Sequence, residues 1–301
     1  MVKLRMNVDK LVKVSVIGEV ASPIFRTPPY RISAYGQLIV CPGTGGIRYN
    51  VRVGDSAIDW MADHVEPGVS IKNLSSYPGA PEGPNTALNV LSCIGNEAKV
   101  VTGEAKGAIG YVTGKHGGIE HVMVDFPYEV MEKLVIGDKI QVKSFGQGLK
   151  LLDYPDITVM NIDPSLLMKM NISEEGDSLV VGVTHIVPAG IMGSGLGSNQ
   201  TYSGDYDITL FDEETVKKYN LNTLRLGDIV AIMDADSTYG RIYKQGAITI
   251  GVVVHTNSYI AGHGPGVTTI LTSSKGKIKP VIDSKANIAY YLNLRPDINW
   301  Q

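Results

Sequence analysis

Residues 182–207 read Gly-Val-Thr-His-Ile-Val-Pro-Ala-Gly-Ile-Met-Gly-Ser-Gly-Leu-Gly-Ser-Asn-Gln-Thr-Tyr-Ser-Gly-Asp-Tyr-Asp, and no other stretch limits the fold so strongly. A short β-branched run bearing His185 leads into a loop with six glycines and serines between Gly193 and Ser203, which closes on the acidic pair Asp205 and Asp207. Glycine at this density gives up side-chain packing and costs backbone entropy. One use for it is a main chain that must come close to something.

The rest of the chain reads as strands and turns. Ala98-Lys-Val-Val-Thr, residues 107–113 and residues 119–126 are strand-like, and residues 246–255 form a β-rich run without charge, as expected of a strand buried on both faces. Residues 127–142 and 212–232 share a design: a short charged helix, an apolar residue, a Gly-Asp turn (Gly137-Asp138 and Gly227-Asp228) and a strand. Residues 56–64 predict a short helix capped by Asp55 or Ser56, with Asp59 and Asp63 as solvated charge on one face. A second is predicted after Asn85-Thr86, and Asp163-Pro164 marks a third helix start. No long amphipathic helices alternate with strands, so a doubly wound parallel sheet is disfavoured. The expected fold is β-rich α+β, two barrel-like or sandwich halves with short peripheral helices, divided as 1–160 and 161–301, the second half carrying the site.

At 301 residues the chain buries a core without needing disulfide or metal for that purpose. A net charge of −3 with interspersed signs leaves no footprint for nucleic acid or anionic membrane. No apolar run approaches the roughly 20 residues of a membrane helix, and Lys3, Arg5, Asp9, Lys10 and Lys13 interrupt any signal-like segment. Cys41 and Cys93 lie in apolar surroundings without metal or redox spacing and read as buried, reduced thiols. A cytoplasmic protein is expected.

Candidates for chemistry concentrate in the second half: His185, Asp205, Asp207, Asp234, Asp236, His255 and His263 all fall at strand ends or in glycine loops. Imidazole with carboxylate suits a divalent metal, which generates a nucleophilic water near neutral pH. His185, Asp205 and Asp207 are the candidate ligands, and Asp207, His255 and His263 the candidate catalytic groups. No named metal motif is matched. Residues 41–47, Cys-Pro-Gly-Thr-Gly-Gly-Ile, lack the ending of a phosphate loop and read as a turn. Ser194 lacks nucleophile-elbow spacing, but Gly193, Ser194, Gly195 and Gly197 offer main-chain donors for a carboxylate, phosphate or developing oxyanion. His116, in a Gly-flanked loop, is a further candidate for ligand contact.

Gly-Lys-His-Gly-Gly-Ile-Glu-His-Val at 114–122, Met-Gly-Ser-Gly-Leu-Gly at 192–197, Gly-Asp-Tyr-Asp-Ile at 204–208 and Gly-His-Gly-Pro-Gly-Val-Thr at 262–268 together resemble a prokaryotic family filed as a domain of unknown function with N- and C-terminal parts. The resemblance spans nearly the whole chain and implies no reaction. A fainter one, to the acetamidase/formamidase family of β-rich amide hydrolases, rests on Gly204-Asp-Tyr-Asp207 followed by Leu226-Gly-Asp228. That family's Gly-Asp-Gly-Glu run is not reproduced by Asp234-Ala-Asp-Ser-Thr-Tyr-Gly240. The expected function is a small-molecule, amide-type hydrolase using a divalent metal. The rivals are a binding protein for an anionic metabolite and a homo-oligomer whose glycine loops are subunit contacts.

Overall fold

Strict alternation makes the clearest strand: in Lys139–Ser144 the residues Lys139, Gln141 and Lys143 face solvent while Ile140, Val142 and Ser144 are buried. One dry face of that kind closes most cheaply on itself. In the structure, a computed structural model that describes residues 4–24, 31–39, 43–75 and 83–300, it does so. Val14–Val20, Val69–Lys72, His121–Asp125, Ile109–His116, Glu97–Val100 and Lys139–Ser144 form a closed antiparallel barrel in that spatial order. Its interior holds Val69, Ile71, Val112, Val122, Val124, Ile140 and Val142, capped by Leu88 of the helix Gly83–Leu91.

The second half is built from two sheets over a shared core. His185–Pro188, Ile229–Asp236, Ile242–Val253, Gly266–Ser273 and Tyr206–Asp207 follow one another in the larger, and Thr158–Val159 also pairs with Gly266–Ser273. Ile172–Glu175, Ser178–Val183 and Ile278–Ile282 make the smaller. Leu179, Val181 and Val183 of the smaller sheet pack in one cluster with Ile229, Ala231, Ile250 and Val252 of the larger. The fold is thus β-rich α+β with short helices. Among the described residues no helix is long and apolar enough to cross a membrane.

The two Gly-Asp turns match in detail. Asp138 Oδ2 accepts from the Val135 amide at 3.0 Å and Asp228 Oδ2 from the Arg225 amide at 2.8 Å, so each carboxylate closes a turn three residues back before feeding a strand. Asp212 caps Glu213–Lys218 and Asp163 caps Pro164–Leu167. The helix expected over 56–64 does not form. Asp59 and His64 adopt left-handed φ values of 68° and 52°, which no right-handed helix accommodates. The main chain there pairs across the molecule instead, the Ala57 amide donating to Leu224 O and the Leu226 amide to Asp55 O. Cys41, and the expected turn at 41–47 in its first two residues, lie outside the described residues.

That segment joins the halves. Val51, Ala57 and Val65 share a cluster with Val187, Tyr206, Ile208 and Val253. Arg52 grips Asp125 of the barrel with Nε at 3.0 Å and Nη2 at 2.7 Å, both side chains buried. Removing the guanidinium leaves a buried carboxylate alone. Arg52→Met is therefore expected to cost about 3–5 kcal/mol in urea unfolding; an unchanged midpoint contradicts a bridging role.

Candidate metal centre

The hairpin Ile109–His116 and His121–Asp125 is in a register that sets His116 opposite His121, so both imidazoles leave the same face. Thr113 sits at a bulge between Val112 and Gly114, which re-aims the end of the strand. Lys115 consequently points the other way, its buried ammonium bonded to Asn161 Oδ1 and Tyr202 O, both at 2.8 Å. His116 is therefore the last residue of a strand and not a loop residue as the flanking glycines suggested.

Glu66, fully buried, receives this pair. Its Oε1 lies 2.6 Å from His116 Nδ1, and its Oε2 lies 3.0 Å from His121 Nδ1. The Gly45 amide and the Ser70 hydroxyl also donate to Oε2. Burial pushes the Glu66 carboxyl upward, but His121 and His116 outweigh it and hold the group well below the usual carboxylate range. An ionised carboxylate only accepts, so both Nδ1 atoms carry hydrogen and Nε2 is the nitrogen that His116 keeps for another partner.

Two further imidazoles are fixed in the same way. His64 Nδ1 lies 2.9 Å from Asp63 Oδ2, and Asp63 is itself held by the Ser258 hydroxyl at 2.7 Å. Burial raises Asp63, but His64 outweighs it and the net shift is downward; burial lowers His64 by more than Asp63 restores. His255 Nδ1 donates to Thr256 O at 2.8 Å. In each ring Nε2 is the nitrogen left to face Asp205 and Asp207.

There the carboxylates are placed as one array. Asp207 Oδ2 lies 3.0 Å from His263 Nδ1 and 3.8 Å from His64 Nε2, and those two nitrogens are 3.1 Å apart. Asp207 Oδ1 turns the other way, 3.7 Å from His255 Nε2. Asp205 Oδ1 accepts from the Gly117 amide at 2.8 Å. Its Oδ2 approaches His255 Nε2 to 2.7 Å, yet neither atom has a partner with hydrogen-bond geometry. The two atoms therefore stand as a close ion pair without hydrogen-bond geometry between them. Burial opposes charge on His255, but Asp205 outweighs it and holds the imidazole well above its ordinary value, while burial raises Asp205 and Asp207 less than their histidine partners lower them.

Two sets of potential ligands result: His64, Asp207 and His263, and His116, Asp205 and His255. Five of the six histidines of the chain thus meet at one place, three from the first half and two from the second. The site is built across the seam, not carried by the second half alone. The sequence alone marks Asp205, Asp207, His255 and His263 as one cluster and His116 as a separate ligand contact, and the structure joins them. Residue order gives no such signal for His64, Glu66 or His121, and Asp63 reads from it as solvated charge.

His185 is not among them. Its strand lies at the opposite end of the larger sheet from Tyr206–Asp207, four strand spacings away, or roughly 19 Å. Its Nδ1 meets Thr184 Oγ1 at 2.8 Å and Nε2 meets Thr223 Oγ1 at 2.9 Å, and burial pushes the ring down to about 4. The hollow beside it, about 570 Å³, is larger than the cleft at the histidine cluster, about 250 Å³, but the only imidazole and carboxylate that line it are this saturated ring and Asp228. Chemistry favours the smaller. Asp234 and Asp236 are turn formers, accepting from the Gly246 and Thr238 amides.

The glycine loop is a packing device more than a cradle. The amides of Gly193, Ser194 and Gly197 donate to Asp207 O, Gly262 O and Arg241 O, so three of the four expected main-chain donors, all but that of Gly195, are already spent. Ser194 and Gly195 still line the cleft. A Cβ on Gly193 would stand 2.1 Å from Gly262 O, one on Gly204 2.6 Å from Gly117 Cα, and one on Gly266 1.9 Å from Asp205 Oδ2 and 2.2 Å from His255 Nε2. These approaches account for the glycines within a single chain. Gly266 matters most, since a methyl there would collide with both orphaned atoms and push them apart. Gly266→Ala should lower the unfolding temperature and abolish any retained divalent ion, whereas Gly190→Ala, with open space and ordinary φ, should change neither. Equal behaviour of the two variants in thermal unfolding and metal analysis contradicts this geometry.

Family models match both halves of the chain. "Domain of unknown function (DUF4438), N-terminal" covers residues 30–168 and "Domain of unknown function (DUF4438), C-terminal" covers residues 169–292. The crystal structure of TM1086 is similar at 49% sequence identity over 96% of this chain and 99% of that one, with a TM-score of 0.89. No curated protein matches.

Proposed function

We propose that this chain, which belongs to the DUF4438 family, is a divalent-metal hydrolase of a small molecule, with a two-ion centre whose shared ligand is Asp207. The observation that carries the reading is the buried pair His255 Nε2 and Asp205 Oδ2, 2.7 Å apart and both without a hydrogen-bond partner, against which Gly266 leaves no room for a side chain. Two atoms about 2.1 Å from one ion lie roughly 3.0–3.4 Å apart at octahedral to tetrahedral angles. The His64, Asp207 and His263 atoms, at 3.0, 3.1 and 3.8 Å, bracket that range, whereas His255 Nε2 and Asp205 Oδ2, at 2.7 Å, must part by a few tenths of an ångström to share an ion.

The donor set is hard-to-borderline nitrogen and oxygen, with no sulfur, which suits Zn²⁺, Mn²⁺ or Fe²⁺ over Cu⁺. Asp63, Glu66 and Thr256 O stand behind His64, His116 and His255, the outer layer that fixes tautomer and ring orientation in metal sites. When bound, such ions supply electrophilic polarisation and ionisation of water near neutral pH. The protein's own part is positioning. Asp207 turns one oxygen to each ligand set, Gly117 holds Asp205, and His263, with its side chain 34% exposed, marks the side from which a substrate arrives. A cleft of about 250 Å³ admits only a small molecule. Amide bonds are the first to try.

A binding protein without turnover uses the same residues, and stabilisation by ligand without hydrolysis separates the two. The buried, free thiol of Cys93, pushed up to about 11 by burial, supports a reducing, cytoplasmic setting. Exposed Tyr239, Ile242 and Tyr243 support self-association.

Protein stripped with chelator and reloaded with Zn²⁺ or Mn²⁺ should retain about two ions per chain by elemental analysis. Asp207→Ala should lose both, and His185→Ala neither. Glu66→Gln should weaken binding about 10–100-fold. Retention no better than in the Asp207→Ala control, or turnover of an amide panel that is indifferent to chelator, contradicts the proposal.

A further inference from the structure

Arg241 lies on the wall of the same cleft, with Ser194, Ser198, Gln200 and Ser203, across from His64 and His116. It is 3% exposed. A buried guanidinium is costly unless an anion is held against it. The other buried arginines obey this: Arg52 has Asp125 at 2.7 Å and Arg295 has Asp55 at 2.7 Å. Arg241 has no ion pair of that kind among the described residues. Its Nη atoms reach only Gly195 O, Gln200 O and Ser203 O at 3.3–3.4 Å, and its Nε has no partner. The Tyr206 ring, 5.2 Å from Cζ, keeps the group in place. Asp205 and Asp207 attract it only at longer range, with no ion pair to either.

We infer that Arg241 is the binding point for an oxyanion on the substrate, a carboxylate or a phosphate, which supplies the missing counter-ion and sets the bond to be cleaved against Asp205 and Asp207. This rests on the hydrolase reading for the second clause only; the anion site itself depends on Arg241 and the serine-lined wall. The chain is then selective for small anionic substrates. Neutral amides of similar size bind poorly, because they leave the guanidinium as it is. The planar fork of Arg suits either oxyanion, and an ammonium in its place keeps charge but loses the paired donors.

The test is calorimetric titration of inorganic phosphate and, separately, acetate into wild type, Arg241→Gln and Arg241→Lys, each metal-free and Zn²⁺-loaded, with ion content measured on the same samples. Wild type should bind at least one of the two oxyanions, and the tighter one identifies the class. Arg241→Gln should bind it roughly tenfold or more weakly in either form while retaining the wild-type ion content, with Arg241→Lys in between. Equal affinity in wild type and Arg241→Gln overturns the inference, as does failure of wild type to bind either probe. Should no ion be retained, the hydrolase reading fails while the metal-free titrations still decide on Arg241. Should Arg241→Gln not fold, Arg241→Lys decides: wild-type affinity in it overturns the inference, and weakened affinity with an unchanged unfolding temperature supports it.

Discussion

Three imidazoles, locked from behind, face two carboxylates across a buried space. Glu66, Asp63 and the carbonyl of Thr256 each take the Nδ1 hydrogen of a histidine, which leaves Nε2 of His116, His64 and His255 turned towards Asp205 and Asp207. Lone pairs and carboxylate oxygens at such separations repel one another in a medium of low dielectric unless positive charge lies among them. A proton on His255 meets part of that need, held there by Asp205. The two divalent ions proposed above would meet all of it. A proton and an ion compete for the same atoms, so affinity for metal must fall as the site is acidified.

The glycines make that concentration of charge buildable. Gly117 against Gly204, Gly193 against Gly262 and Gly266 against the two orphaned atoms bring loops from distant parts of the chain closer than any side chain permits. The barrel contributes His116 and His121 through one hairpin, the larger sheet contributes Asp207, His255 and His263 through strand ends and loops, and residues 51–66 thread between them. Neither half holds a complete ligand set: His64 needs Asp207, and His116 needs Asp205 and His255. Docking of the two halves is then inseparable from assembly of the centre.

Much of this was legible from residue order. Alternation in Lys139–Ser144, the uncharged run before His255 and the paired Gly-Asp turns are local signals, and each describes what forms. Asp205 and Asp207 were readable as a pair because side chains two apart in an extended segment share a side. What escaped is non-local. His64 and Glu66 follow a stretch whose spacing imitates a helix, and only the left-handed φ of Asp59 and His64 and pairing with Leu224 and Leu226 reveal its course. Strand-end position made His185 resemble His255, although the order of strands in the sheet sets them far apart; sequence carries no record of that order. The even division of six histidines between the halves was the available hint that the centre spans both.

Anomalous X-ray scattering from crystals soaked in Mn²⁺ or Zn²⁺ tests the central claim most directly. The account predicts two peaks about 3.5–4 Å apart, one beside His64 and His263 and one beside His116 and His255, with an oxygen of Asp207 towards each. Saturating metal that leaves no peak between these residues, or that gathers instead at His185, contradicts it.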